Sequence, residues 1–119
     1  MREQNPRLNV SVEEGATVVG FTDEKILDEV SISEIGQQLN ALVADADSPK
    51  MVLDFSGVSH MSSSALGMLI TLHKRVREKD GRLRLAGIQP AIYEVFVITR
   101  LNEIFEIHSS VAEALETLR

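Results

Sequence analysis

Cysteine is absent from this 119-residue chain. That excludes a disulfide framework, a thiolate nucleophile and a cysteine-ligated zinc site. Tryptophan is absent too, tyrosine occurs once, and aromatic residues total 4%, which leaves little material for stacking nucleic-acid bases. No apolar run approaches the roughly 18 residues a membrane-spanning helix requires. The opening Met1-Arg2-Glu3-Gln4-Asn5-Pro6 is polar and lacks the apolar segment of a secretory leader. Positive charge is in deficit: 12 Lys+Arg against 18 Asp+Glu leave a net charge of −6, with a pI near 5.0. Phosphate backbones are bound by basic surfaces, so no nucleic-acid partner and no membrane is expected. The longest basic cluster, His73-Lys74-Arg75-Val76-Arg77, runs straight into Glu78 and Asp80. It reads as a helix end, where cations suit the macrodipole. The chain reads as cytoplasmic.

What is present suffices for one domain over residues 1–119, with 44% hydrophobic and 25% charged residues. Leu8, Val10 and Val12 alternate with polar residues and predict a half-buried strand. Glu13-Glu14-Gly15 predicts a turn, with Ala16–Phe21 returning as the second arm of a hairpin. Ser31 and Glu34 have capping-box spacing, and Ile32, Ile35, Leu39, Leu42 and Val43 then form one helical stripe. That stripe is expected to bury together with Leu8, Val10 and Val12. Met51–Phe55 is a nearly continuous apolar run, as in a strand buried on both faces. A helix follows from Ser62-Ser63-Ser64 to about Lys79, with Gly81 as its C-cap, and then an alternating strand at 82–86. Pro90 opens a short helix, 104–107 reads as a last strand, and Ser110 with Glu113 repeats the capping-box spacing before a final helix. The order β-β-α-β-α-β-α-β-α defines a single α/β domain.

Catalytic constellations are scarce. His60 precedes the serines and invites a Ser63–His60 pair, but Gly57-Val58-Ser59-His60-Met61 lacks the last glycine of a nucleophile elbow. His73 and His108 read as structural. No metal-ligand spacing and no glycine-rich phosphate loop is present, so no metal and no cofactor is expected. A phosphate-accepting receiver domain would use Asp54 at the end of the third strand. However, Asp23-Glu24 follows the second strand rather than the first, and Gln89-Pro90 stands where a lysine should precede proline. The expectation is a protein that is not an enzyme.

The serine cluster is the more specific signal. Met51–Leu69, which contains Leu53-Asp54 and Met61-Ser62-Ser63-Ser64-Ala65-Leu66-Gly67, closely resembles the STAS domain of anti-sigma factor antagonists. That family has a buried strand ending in Leu-Asp, then an apolar residue before Asp-Ser-Ser-Gly and Leu-Gly. Leu27-Asp28, with Ser31 three residues on, is similar to the family's Leu-Asp-x-x-Thr, and Leu101–Ile107 followed by Ala112–Leu115 is similar to its ending. The resemblance implies the STAS fold, a mixed β-sheet with about four helices packed mainly on one face. It also implies an anti-sigma factor antagonist that binds an anti-sigma factor, itself a serine protein kinase, and is inactivated by serine phosphorylation. Ser63 falls on the family's phosphorylated serine, with Ser62 and Ser64 as the less favoured acceptors. Ser62 stands where the family has Asp, and Ala65 where it has Gly. Asp28 and the three serines fall on the partner-binding surface. The alternative is a STAS scaffold subunit of a transporter or signalling complex that is never phosphorylated.

Two physical readings bear on that surface. A serine at a helix N-terminus faces unsatisfied N–H groups and the positive end of the dipole, so a phosphate is tolerated there while adding about −1.5 to −2 charges. The bland role for the same serine is a cap worth about 1 kcal/mol. The apolar residues Ala65, Leu66, Met68, Leu69, Ile70, Leu72 and Val76 cover an arc of about 200° on the second helix. That width predicts a protruding edge at Met68 and Leu72, or at Ile70, unless neighbouring elements cover both sides.

Overall fold

The computed structural model describes residues 7–119; the polar opening at 1–6 lies outside it. Seven strands and four helices follow one another: β1 (Leu8–Glu13), β2 (Ala16–Phe21), β3 (Lys25–Ile26), α1 (Glu29–Ala44), β4 (Lys50–Asp54), β5 (His60–Met61), α2 (Ser63–Glu78), β6 (Arg82–Ala86), α3 (Pro90–Ile98), β7 (Glu106–His108) and α4 (Val111–Glu116). A 3-10 turn, Leu101–Glu103, separates α3 from β7. The main sheet has the order β1-β2-β4-β6-β7. Only β1 and β2 are antiparallel; β4, β6 and β7 join β2 in parallel. Parallel neighbours require crossovers, and α1, α2 and α3 supply them.

Strand alternation divides the core in two. Val19, Met51, Leu53, Leu83 and Leu85 point to one face and pack with Ile35, Leu39, Leu69, Leu72 and Phe96 from α1, α2 and α3. Ala16, Val18, Val52 and Ala86 point to the other, where α4 covers them with Ala114, Leu115 and Leu118. Three helices on one face and one on the other is the expected mixed-sheet arrangement. The buried run Met51–Leu53 is legible because a central strand is apolar on both faces.

Three local expectations are corrected. The cap of helix α1 lies three residues before Ser31: Asp28 is the N-cap and accepts the Ser31 amide, while Ser31 is buried within the first turn. No capping box forms there, because Ser31 is not the cap and Glu34 lies beyond the first turn; its carboxylate is held by Arg7 at 2.9 Å instead. Val10 and Val12 are exposed although Leu8 is buried. They share a face with Val19 and Thr17 through the hairpin register, but β1 is the sheet edge and the helical cover reaches only its Leu8 end. The last strand lies at 106–108 rather than 104–107, since the 3-10 turn first carries Leu101 and Phe105 into the core.

The end of α2 also differs in detail. Asp80, not Gly81, holds the left-handed backbone (φ 56°). Gly81 is required for closeness instead, because a Cβ there would overlap the carbonyl oxygen of Pro49.

Candidate partner-docking site

The two-residue strands β3 and β5 position the site. They pair in parallel, Lys25 with His60 and Ile26 with Met61. The Ser62 amide then donates to the Ile26 carbonyl at 3.1 Å, and the Ser59 amide to Glu24 at 2.7 Å. The next residues on each strand open a helix, Asp28 before α1 and Ser62 before α2. A short ladder thus brings the N-termini of α1 and α2, each with its positive dipole end, to the same end of the fold. Neither strand is long enough to show a period, and sequence reasoning missed both.

The three serines are not equivalent. Ser62 is the N-cap, and its Oγ accepts the Ala65 amide at 3.2 Å. Ser63 and Ser64 occupy the first turn and are exposed. With the Ser62 amide given to Ile26 and the Ala65 amide to Ser62, the Ser63 and Ser64 amides are left at the open helix end. Ser63 is therefore relieved of the capping role and presents a hydroxyl beside free donors.

Asp28 faces the same end. Its carboxyl is held below the usual carboxylate range, first by the hydrogen bond from the Ser31 amide and then by the Ser31 hydroxyl. It is committed as a cap while remaining at the surface. Its neighbours Leu27 and Val30 are exposed at 49% and 64%. Leu27 was read from the sequence only as part of the Leu27-Asp28 motif, and Val30 was not picked out. The available signal was Val30, which falls outside the Ile32-Ile35-Leu39 stripe. Arg7 stiffens the approach: it bonds both Asp23 oxygens at 3.1 Å and Glu34 at 2.9 Å. These contacts, Glu34 first and Asp23 second, raise its already high pKa further.

The expected ridge on α2 is absent. Leu72 is only 2% exposed, Met68 is half-buried, and Ile70 is half-buried against the core. Helix α1 packs along α2 and covers that edge; a Cβ on Gly36 would lie 3.4 Å from Met68 Cγ. What remains is a groove of about 250 Å³ between the helices, lined by Ile32, Gly36, Gln37, Met68, Thr71 and Leu72. Leu72 forms its floor rather than a protruding contact.

The catalytic alternatives take other geometry. His60 Nδ1 lies 2.9 Å from Ser59 Oγ, at the surface, rather than on Ser63. Asp54 accepts the Ser56 amide at 3.0 Å and so closes a turn. His73 stands edge-on to Phe105 at 5.2 Å, with Nδ1 buried and unpartnered among the described residues. Burial, and then Arg77, push its pKa down. Among the described residues no cluster of His, Asp and Glu is arranged to hold a metal ion, and no helix is long and apolar enough to cross a membrane.

A mixed sheet with three helices on one face and two helix N-termini joined by a small parallel ladder defines an α/β domain whose accessible chemistry is a serine-bearing surface. The STAS domain pattern matches residues 7–114, and the chain belongs to that family. It is 34% identical over 55 residues to the anti-sigma-B factor antagonist of Listeria monocytogenes. That match spans 46% of this chain and 48% of the relative, about half the length of each. An anti-sigma-factor antagonist (STAS) domain protein from Planctomyces limnophilus superposes with a TM-score of 0.85 at 26% identity, over 92% of this chain and 96% of that one. The fold also recurs in the murine anion transporter Slc26a9, with a TM-score of 0.74 at 17% identity, over 87% of this chain and 17% of that one. Fold alone therefore does not choose between a regulator and a transporter module.

Proposed function

We propose that this chain is an anti-sigma factor antagonist, a cytoplasmic partner-switching regulator rather than an enzyme. Its partner is an anti-sigma factor with serine-kinase activity, and phosphorylation of Ser63 ends the association. The observation that carries the reading is the division of labour at the start of α2: Ser62 caps, while Ser63 is exposed next to it. A phosphate on Ser63 meets unsatisfied amides and the dipole, so the fold tolerates it. The same charge enters a surface on which Leu27 and Val30 offer apolar contact. Desolvating a doubly negative group there opposes docking. Ser62 in the family's Asp position removes a carboxylate beside the acceptor, and it supplies the cap itself.

The docking surface proposed is Leu27, Asp28, Val30 and Ser62 to Ser64, with Met68 at the mouth of the groove and Leu72 beneath it. Calorimetric titration of the anti-sigma factor with the Ser63→Ala and Ser63→Asp variants tests it. The alanine variant is expected to bind like the unmodified protein, and the aspartate variant about tenfold or more weaker, a change of roughly 1.4 kcal/mol. Equal affinities for the two variants contradict the switch and favour a scaffold that is never phosphorylated.

A further inference from the structure

Strand β1 is an edge without the usual protection. It runs six residues, Leu8–Glu13, and pairs with β2 on one side only. Among the described residues no strand lies along its other side. Exposed edges are normally blunted by lysine, proline, a bulge or shortness. The opposite edge, β7, is three residues long. By contrast β1 holds no lysine or proline, and its register with β2 is unbroken.

The hydrogen bonding fixes which groups are free. The Thr22 amide donates to the Arg7 carbonyl at 3.0 Å, so the backbone of residue 7 faces β2. Alternation then turns Asn9, Ser11 and Glu13 to β2 as well, and the N–H and C=O groups of Leu8, Val10 and Val12 outward. The side chains of those same three residues share the face of the sheet that α1 covers. Cover is uneven along them: Leu8 is 7% exposed, Val10 48% and Val12 75%. Helix α1 rests on the Leu8 end, where Gln38 Oε1 accepts the Arg7 amide at 3.3 Å.

We infer that β1 is a self-association edge, on which β1 of a second copy pairs antiparallel about a two-fold axis at Val10. Val10 then faces Val10 of the other copy, Leu8 faces Val12, and each pair exchanges both backbone hydrogen bonds. One five-stranded sheet continues into the next. Any strand could bond to that backbone, but the side chains select this one. The two-fold sets the bare Val12 of each copy beside the covered Leu8 of the other, at the end of the sheet on which α1 rests. A parallel neighbour would set Val12 beside Val12, both bare. Asn9 meets Ser11 on the opposite face, polar with polar. Glu13 is the only charged residue of β1, and the two-fold sends its two copies to opposite ends. The strand is thus self-complementary about Val10, as an isologous contact must be. Pairing also accounts for valines that alternate like an inward-facing strand yet stand exposed in the single chain. One strand per copy is less than a standard interface, so the dimer is weak and concentration-dependent. The edge shares no residue with the proposed switch surface.

Sedimentation equilibrium over about 10 μM to 1 mM tests it, a range matched to a weak dimer. The average mass should climb from 13.1 kDa towards twice that value. Val12→Lys, at an exposed side chain, should hold the mass at that of the monomer, with a cooperative unfolding transition showing that the fold is intact. Ile98→Lys, at a similarly exposed position on α3, should leave the dimer unchanged, as should Ser63→Asp. The register has its own test, because the chain has no cysteine. Val10→Cys should close a disulfide across the axis with oxidised glutathione, since residues facing in a hydrogen-bonded pair lie about 5.5 Å apart. Val12→Cys should not, because its two copies stand about 13 Å apart along the strands. A monomer throughout the range overturns the inference. So does a dimer that survives Val12→Lys or is lost with Ile98→Lys, and so does a disulfide that forms at Val12 and not at Val10.

Discussion

At the residue scale, three adjacent serines divide structure from chemistry. A serine run before a helix announces a cap, but only geometry selects which hydroxyl accepts; the Ala65 amide chooses Ser62. Ser62→Ala should therefore lower unfolding free energy by about 0.5–2 kcal/mol. Ser63→Ala should stay within about 0.5 kcal/mol of the parent. Urea denaturation separates the two, and a larger loss at Ser63 would reverse the assignment. Asp28 shows the opposite limit of sequence reading. Its Leu-Asp context pointed to a contact surface but did not reveal that its carboxylate also caps α1, with Ser31 buried one turn on.

His73 adds a pH dependence at the same scale. The unfolded chain takes up a proton near the ordinary value of 6.5, while the folded protein holds this imidazole neutral to lower pH. In the window below 6.5 the unfolded state binds more protons, so stability is complete above that value and declines as the pH falls through the lowered folded pKa. His73→Phe should flatten this part of a stability-versus-pH profile, since it keeps the aromatic contact to Phe105 and loses the titration. An unchanged slope between pH 6.5 and 5 would show that another group is responsible.

At the element scale, α1 and α2 form the scaffold of the surface, and their stripes were legible because both helices rest on a sheet. The width of the α2 stripe was legible as well, but its cause was not: α1 covers one edge, so apolar surplus became a groove instead of a ridge. Leu72→Ser and Leu39→Ala should each cost about 2–5 kcal/mol, as for other buried leucines. Met68→Ser, at a half-buried site, should cost less and act chiefly on binding. If Leu72→Ser left the denaturation midpoint unchanged, the groove floor would be misplaced. The ladder of β3 and β5 was hidden for a different reason: two residues carry no period, and their pairing spans 35 positions, His60 against Lys25. Val10 and Val12 alternate as an inward-facing strand does, and nothing local reveals that the helical layer stops before them.

At the scale of the whole molecule, alternation of strands and helices conveyed the class, and the serine segment conveyed the family. Among the described residues, Arg7 is engaged by Asp23 and Glu34. The surface at the α1 and α2 N-termini suits a protein partner through exposed Leu27 and Val30, and helix-end amides suit a phosphate. Those two properties at one place make a partner switch physically economical. The most direct measurement is phosphate mapping after incubation with the anti-sigma kinase and ATP, by intact mass followed by fragmentation. The account predicts one phosphate, on Ser63, and none on a Ser63→Ala variant. Phosphate on Ser62 or Ser64 would contradict the residue assignment. No phosphate on any of the three, with a kinase verified as active on another substrate, would contradict the switch itself.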